Sequence, residues 1–374
     1  MSARRWPFAL FCLLCLLAGT HAQEPAYSAV VLHRHDQPAG FGFTTAVLAP
    51  DGSRYAYLGS GRGLCVFEID GTELGCVDIE PVRSLDIRSL RWSPDSRYIA
   101  MTQNFLTYFV DADIWVADTE AMLLNNVTPD SVDRLDLNDD DWPGYQDMAP
   151  TWLADGRLVF ARAQREAGAF TTTLYSALPD GADLAPIPGA AFEGLMPYML
   201  AAASQAPTLA YNVERRDDEI FGVDMLRLTD NTATPLLRTD ARNRALEMRL
   251  SPDGNYLVMV DEQAMILRES ISYMATDTVG AKLLRLPAAG SITGAAFAPD
   301  SSAIAYLVSE AEDSETNGLY VKPLPDGEPQ QVLRGSFRSP LNASYLFLWE
   351  GSAVLLFDHS SGELVVVRLE AAGS

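Results

Sequence analysis

Histidine, cysteine and basic residues are scarce in this 374-residue chain: four histidines, four cysteines and 27 Lys+Arg against 50 Asp+Glu, a formal net charge of −23. Each shortage excludes something. So acidic a chain repels phosphate backbones and anionic membrane surfaces, which argues against nucleic acid and favours cationic partners, divalent metals or plain solubility. Cys12 and Cys15 stand in the first apolar run, so only Cys65 and Cys76 remain, too few to staple a fold of this size. Long apolar runs are also missing. The longest, residues 8–17, falls far short of the roughly 20 residues of a spanning helix. Gly-x-Ser-x-Gly elbows and Walker loops are absent as well.

What is present begins with a basic start containing Arg4 and Arg5, the apolar run, and Ala18-Gly19-Thr20-His21-Ala22, the three regions of a secretory signal peptide. Cleavage is expected after Ala22, giving a periplasmic or secreted protein made of residues 23–374 with no membrane span. No small residues precede Cys12 or Cys15 as a lipid-anchoring signal requires.

A repeat then runs down the chain: an apolar strand, a turn, and a second strand rich in aromatic and β-branched residues. The turn reads Pro50-Asp51-Gly52, Ser93-Pro94-Asp95-Ser96, Ala154-Asp155-Gly156, Ser251-Pro252-Asp253-Gly254 and Pro299-Asp300-Ser301. Proline fixes φ at the first corner, aspartate bonds the backbone two residues on, and glycine accepts positive φ. Degenerate copies turn near Gln205-Ala206-Pro207 and Glu350-Gly351. Third and fourth strands follow, as in residues 113–118 with 123–128 and 318–321 with 330–333. Four antiparallel strands per unit make a propeller blade, and seven units fit. The last unit has three strands, 345–349, 353–357 and 363–369, and residues 27–33 are a spare strand that completes it and covers an open edge. The fold expected is an all-β, seven-bladed β-propeller closed by an N-terminal strand.

These turns, with Ala149-Pro150-Thr151-Trp152-Leu153-Ala154-Asp155-Gly156 and Asn126-Val127-Thr128, resemble the TolB-like propellers, exported proteins whose blades carry Ser-Pro-Asp-Gly turns. The resemblance implies a binding scaffold of the cell envelope. It departs from TolB in lacking the separate α/β domain and in counting seven blades rather than six, so a six-bladed ring is the alternative. The same repeats occur in the non-catalytic propellers of some peptidases, so the motif speaks for fold more than for activity.

The stretch from Gly63 to Cys76 reads as a hairpin turning at Asp70-Gly71, with Ile69 facing Thr72 and Cys65 facing Cys76 at a hydrogen-bonded pair. A disulfide is expected there, a pair of half-buried thiols being the alternative. Loops between first and second strands are tight. Those between second and third strands, and the links between blades, are long: residues 103–111, 129–148, 164–170, 214–221 and 309–318. That face is expected to bind a partner.

The longest link carries Asp136, Asn138 and Asp140 at alternate positions and Asp147 at the twelfth place, the spacing of a calcium loop. Asp141 stands where such a loop needs glycine, and Asp147 is shorter than the usual glutamate. The other reading is a solvated acidic loop that presents Trp142 and Tyr145 to a protein or peptide partner, for which the acidic charge favours a cationic one. No catalytic residues are assigned and no cofactor is expected, calcium being the one candidate. His33, His35 and His359 converge at the rim if residues 27–33 complete the last blade. The functional expectation is an exported protein-binding or envelope-associated scaffold; the alternative is a carboxylate- or metal-dependent hydrolase or lyase on a propeller rim.

Overall fold

The computed structural model describes residues 26–35, 45–59, 61–103, 112–130, 141, 144–193, 198–215, 220–239, 243–263, 268–277, 283–311, 314–341, 344 and 346–371. Its strands are set by the repeated turn. Ser251, fully buried, accepts from the Tyr256 amide at 2.9 Å and donates to Asp253 at 2.6 Å, while Asp253 accepts from the Asn255 amide at 3.0 Å. Ser93, Asp95 and Tyr98 repeat this arrangement. One side chain therefore closes each corner and the other holds it. Where the fourth place is serine instead of glycine, φ is still positive, +59° at Ser96 and +61° at Ser301. Their hydroxyls accept from the amides of Asp51 and Asp253 in the preceding blades' turns, at 3.0 and 3.1 Å.

Seven sheets result. The first blade is β2 (Thr45–Leu48), β3 (Arg54–Gly59), β4 (Gly63–Glu68) and β5 (Glu73–Val77); the second is β6 (Arg91–Trp92), β7 (Tyr98–Thr102), β8 (Ile114–Asp118) and β9 (Leu123–Asn126). The third is β10 (Gln146–Trp152), β11 (Leu158–Glu166), β12 (Ala169–Ala177) and β13 (Ala185–Glu193), and the fourth is β14 (Leu200–Ala202), β15 (Thr208–Arg215), β16 (Ile220–Arg227) and β17 (Thr232–Thr239). The fifth comprises β18 (Asn243–Leu250), β19 (Tyr256–Gln263), β20 (Arg268–Ala275) and β21 (Leu284–Arg285); the sixth comprises β22 (Ser291–Phe297), β23 (Ala303–Ser309), β24 (Gly318–Pro323) and β25 (Gln330–Arg334). In the seventh, β28 (Ala353–Asp358) pairs on one side with both β26 (Phe337–Arg338) and β27 (Trp349–Glu350), and on the other with β29 (Glu363–Ala371). Next to β29 lies β1 (Tyr27–His35), antiparallel, with Tyr27 opposite Ala371 and His35 opposite Leu364.

The innermost strand of the seventh blade differs from its sequence pattern. Of the described residues 346–349, only Trp349 pairs with β28, while Leu346 bridges to Ala295 of the sixth blade. Phe337 and Arg338 take the rest of the position, because they, and not 346–348, lie opposite Asp358 and Phe357.

Seven apolar clusters fill the seven clefts between neighbouring sheets. The one between the first and last blades joins Leu48, Tyr55 and Phe67 to Leu355 and Val366. Each sheet buries both faces against its neighbours, which is why its strands read as nearly continuous apolar runs. Indole groups add polar ties between inner strands: Trp92 Nε1 donates to the Val47 carbonyl at 3.1 Å, and Trp152 Nε1 to that of Arg91 at 2.8 Å.

Cys65 and Cys76 are disulfide-bonded, opposite each other in β4 and β5 with Cα atoms 3.9 Å apart. The hairpin is not the one drawn from sequence. The turn is closed by Glu68 and Thr72, one residue wider than expected, and an irregularity after Val66 restores the register at the cysteines. The short Cα separation is that of a non-hydrogen-bonded pair, not of the wider hydrogen-bonded one.

Candidate functional site: the axial cavity

Inner strands from all seven blades enclose a cavity of about 350 Å³ on the ring axis. Its mouth is framed by Pro50, Pro94, Pro252 and Pro299, so it opens on the face of the tight turns. The fourth blade lacks the Pro-Asp-Gly corner, and its turn leans across this mouth. The amide of Gln205 donates to the Pro252 carbonyl at 2.8 Å, and its side chain reaches the Pro299 carbonyl at 2.9 Å. Ser204 beside it is exposed at the rim.

The wall is aromatic and aliphatic, with Trp92, Trp152, Phe297 and Trp349 prominent, and four charged groups meet on it or next to it. Arg91 and Arg249 occupy the same place in two repeats, two residues before the turn, where other blades have Val47, Ala201 and Ala296. Arg91 Nη1 donates to the carbonyls of Arg88 and Leu90, at 2.7 and 2.9 Å. Arg249 makes no hydrogen bond among the described residues, and its Nε is shut off from solvent without a partner. Burial lowers the pKa of both arginines, their mutual repulsion adding to the effect at Arg91; Glu247 and Glu350 oppose it at Arg249. Both guanidinium groups stay charged at neutral pH. Glu247 accepts a short hydrogen bond from Ser344. Burial pushes the Glu350 carboxyl up to about 8 against the pull of Arg249. At neutral pH Glu350 is therefore mostly protonated, and the cavity is positive inside a strongly negative molecule.

The opposite face carries a second polar cluster. Asp147 is buried in β10 and receives two 2.8 Å hydrogen bonds from Arg162, whose guanidinium also lies 4.8 Å from the Tyr145 ring and 4.7 Å from that of Tyr175. Asp113, held by Asn126 at 2.7 Å, is raised to about 6 by burial. Of the calcium-loop candidates, Asp136, Asn138 and Asp140 lie outside the described residues, as does Trp142. Asp147 is a strand residue with both oxygens engaged by an arginine, and not the end of a loop. Its ligand-like spacing reflects a link that stops earlier, since β10 begins at Gln146. Tyr145 is 41 % exposed above Arg162. Of the long loops, 104–111, 131–140, 142–143, 216–219 and 312–313 are likewise outside the described residues.

The histidines do not gather. His33 and His35 have ring centroids 6.2 Å apart, but His35 turns to the first blade, bonding the Tyr55 hydroxyl at 3.0 Å and packing on Phe67. Among the described residues no three His, Cys, Asp or Glu side chains are grouped to hold a metal.

Ring and axial cavity together define the class, a seven-bladed β-propeller. No protein-family model matches the chain, and no curated protein matches it. Solved structures do. An oligogalacturonate lyase in complex with manganese aligns at 14 % identity and TM-score 0.55, covering 92 % of this chain and 98 % of its own. An oligogalacturonate lyase from Vibrio parahaemolyticus aligns at 11 % and 0.56, with the same coverage of both chains. Hydrazine synthase from Kuenenia stuttgartiensis aligns at 12 % and 0.53, covering 89 % of this chain and 99 % of its own. Likeness at such identities establishes the fold alone.

Proposed function

We propose that this chain is a binding propeller that takes a ligand in its axial cavity, exported as its first 22 residues suggest and serving as an envelope-associated scaffold of TolB-like type. The observation that carries the reading is Arg249: an arginine with no hydrogen-bond partner among the described residues, on the wall of a hole large enough for a small molecule. In this reading the long-loop face, with Tyr145 and the acidic link of Asp136, Asn138 and Asp140, docks a protein partner, and calcium in that link is a separate proposal.

Ser204→Trp tests it, because this exposed rim residue accommodates a large side chain that plugs the mouth. Native mass spectrometry of the protein purified from its own cells is expected to find a bound small molecule in the wild type and none in the variant, at an unchanged melting temperature. The same ligand on both proteins would place the site elsewhere.

A second reading rests on Glu350. A carboxyl that keeps its proton near neutral pH beside Arg249 is equipped as a general acid, and two of the fold neighbours are oligogalacturonate lyases. Incubation with oligogalacturonate decides it: an unsaturated product absorbing in the ultraviolet, lost in Glu350→Gln, supports a lyase.

A further inference from the structure

We propose that the axial cavity is a carboxylate site, in which Arg249 and Arg91 grip the carboxylate of a small organic acid while the tryptophan-lined wall receives its apolar body. The inference rests on the cavity being the ligand site and goes on to name the ligand's chemistry.

Three observations lead to it. The first is the state of the two arginines. A guanidinium withdrawn from water is stabilised by an anion at hydrogen-bond distance, and Arg249 has neither a salt bridge nor a hydrogen bond within the described chain. Arg91 places one terminal nitrogen on backbone carbonyls, and a guanidinium has five N–H donors. The second is the sign of the site. Two arginines repel a cation, and of the two carboxyls beside them Glu247 already binds Ser344 while Glu350 holds a proton at neutral pH. The third is the wall. The indole N–H groups of Trp92 and Trp152 are used up on backbone carbonyls, so these rings offer apolar surface and no donors. A planar, forked donor in the same cavity as an apolar aromatic wall matches a planar two-oxygen anion with an apolar body better than it matches a tetrahedral, fully hydrated one.

The probes are phenylacetate, its neutral isostere phenylacetamide, and inorganic phosphate, titrated calorimetrically into the full mature chain at pH 6. Phenylacetate is expected to bind at least ten times more tightly than either of the others. Arg249→Gln should cut its affinity tenfold or more without changing that of the amide. Arg249→Lys keeps the charge but not the fork, guards against a misfolded glutamine variant, and should weaken the acid selectively as well. Equal binding of acid and amide, both lost in Ser204→Trp, overturns the carboxylate anchor while leaving the cavity as the site. Phosphate binding as tightly as the acid overturns the carboxylate preference, and so does absence of phenylacetate binding up to roughly 10 mM. Acid binding that survives the plugged rim overturns both readings.

Discussion

At the scale of single residues, the hydroxyl in the Ser-Pro-Asp corner does two jobs at once. Ser251→Ala removes a buried acceptor from the Tyr256 amide and a donor to Asp253. We expect a loss of about 1–2 kcal/mol in urea unfolding. A change within error would show that the corner is held by backbone alone. The corner residues are legible in sequence because proline, aspartate and glycine each act locally. Arg91 and Arg249 are not legible in the same way, because what they do depends on six other blades. A signal was nonetheless present: aligned on their turns, the repeats carry small or apolar residues two places earlier, and arginine in two of them. Glu350 gave no such signal, because its blade lacks the motif that would align it.

At the scale of elements, alternation and turn spacing made the strands readable, and the spare strand at 27–33 could be seen by counting. The split of the last inner strand could not, since Phe337-Arg338 is too short to show a period and its pairing is settled by which residues lie opposite β28. Likewise, the hairpin at Cys65–Cys76 reached the right partners through a wider turn and a compensating irregularity, which strand periodicity does not reveal. Removing residues 23–35 strips β1 from β29 and takes Leu32 and His35 off the first blade. With Tyr27 and Ala29 also lost from the apolar cluster of the last blade, the cost should be about 3 kcal/mol or more. A melting temperature equal to that of the chain beginning at residue 23 would mean that β1 adds nothing to the ring.

At the scale of the whole molecule, the cavity couples stability to pH. Glu350 has a folded pKa near 8, above its ordinary value of 4.5. Its stabilising contribution is thus complete below about pH 4.5 and lost as pH rises through 8. Asp113, raised to about 6, acts in the same direction over a lower window. The melting temperature should therefore fall between pH 6.5 and 8.5, and Glu350→Gln, fixed in the neutral form, should flatten that fall while leaving the lower window in place. A wild-type profile as flat as the variant's would show that Glu350 ionises normally.

The pairing of β1 with β29 also has a mechanical side. Tyr27 stands opposite Ala371, so the two ends of the described chain leave the ring side by side from one blade. A pull applied between them does not shear the ladder all at once; it peels the two strands apart one pair at a time, from Tyr27 toward His35. The ring held together by seven packed clefts is in this one direction a zip fastener, and a tether at either end would feel its weakest axis first.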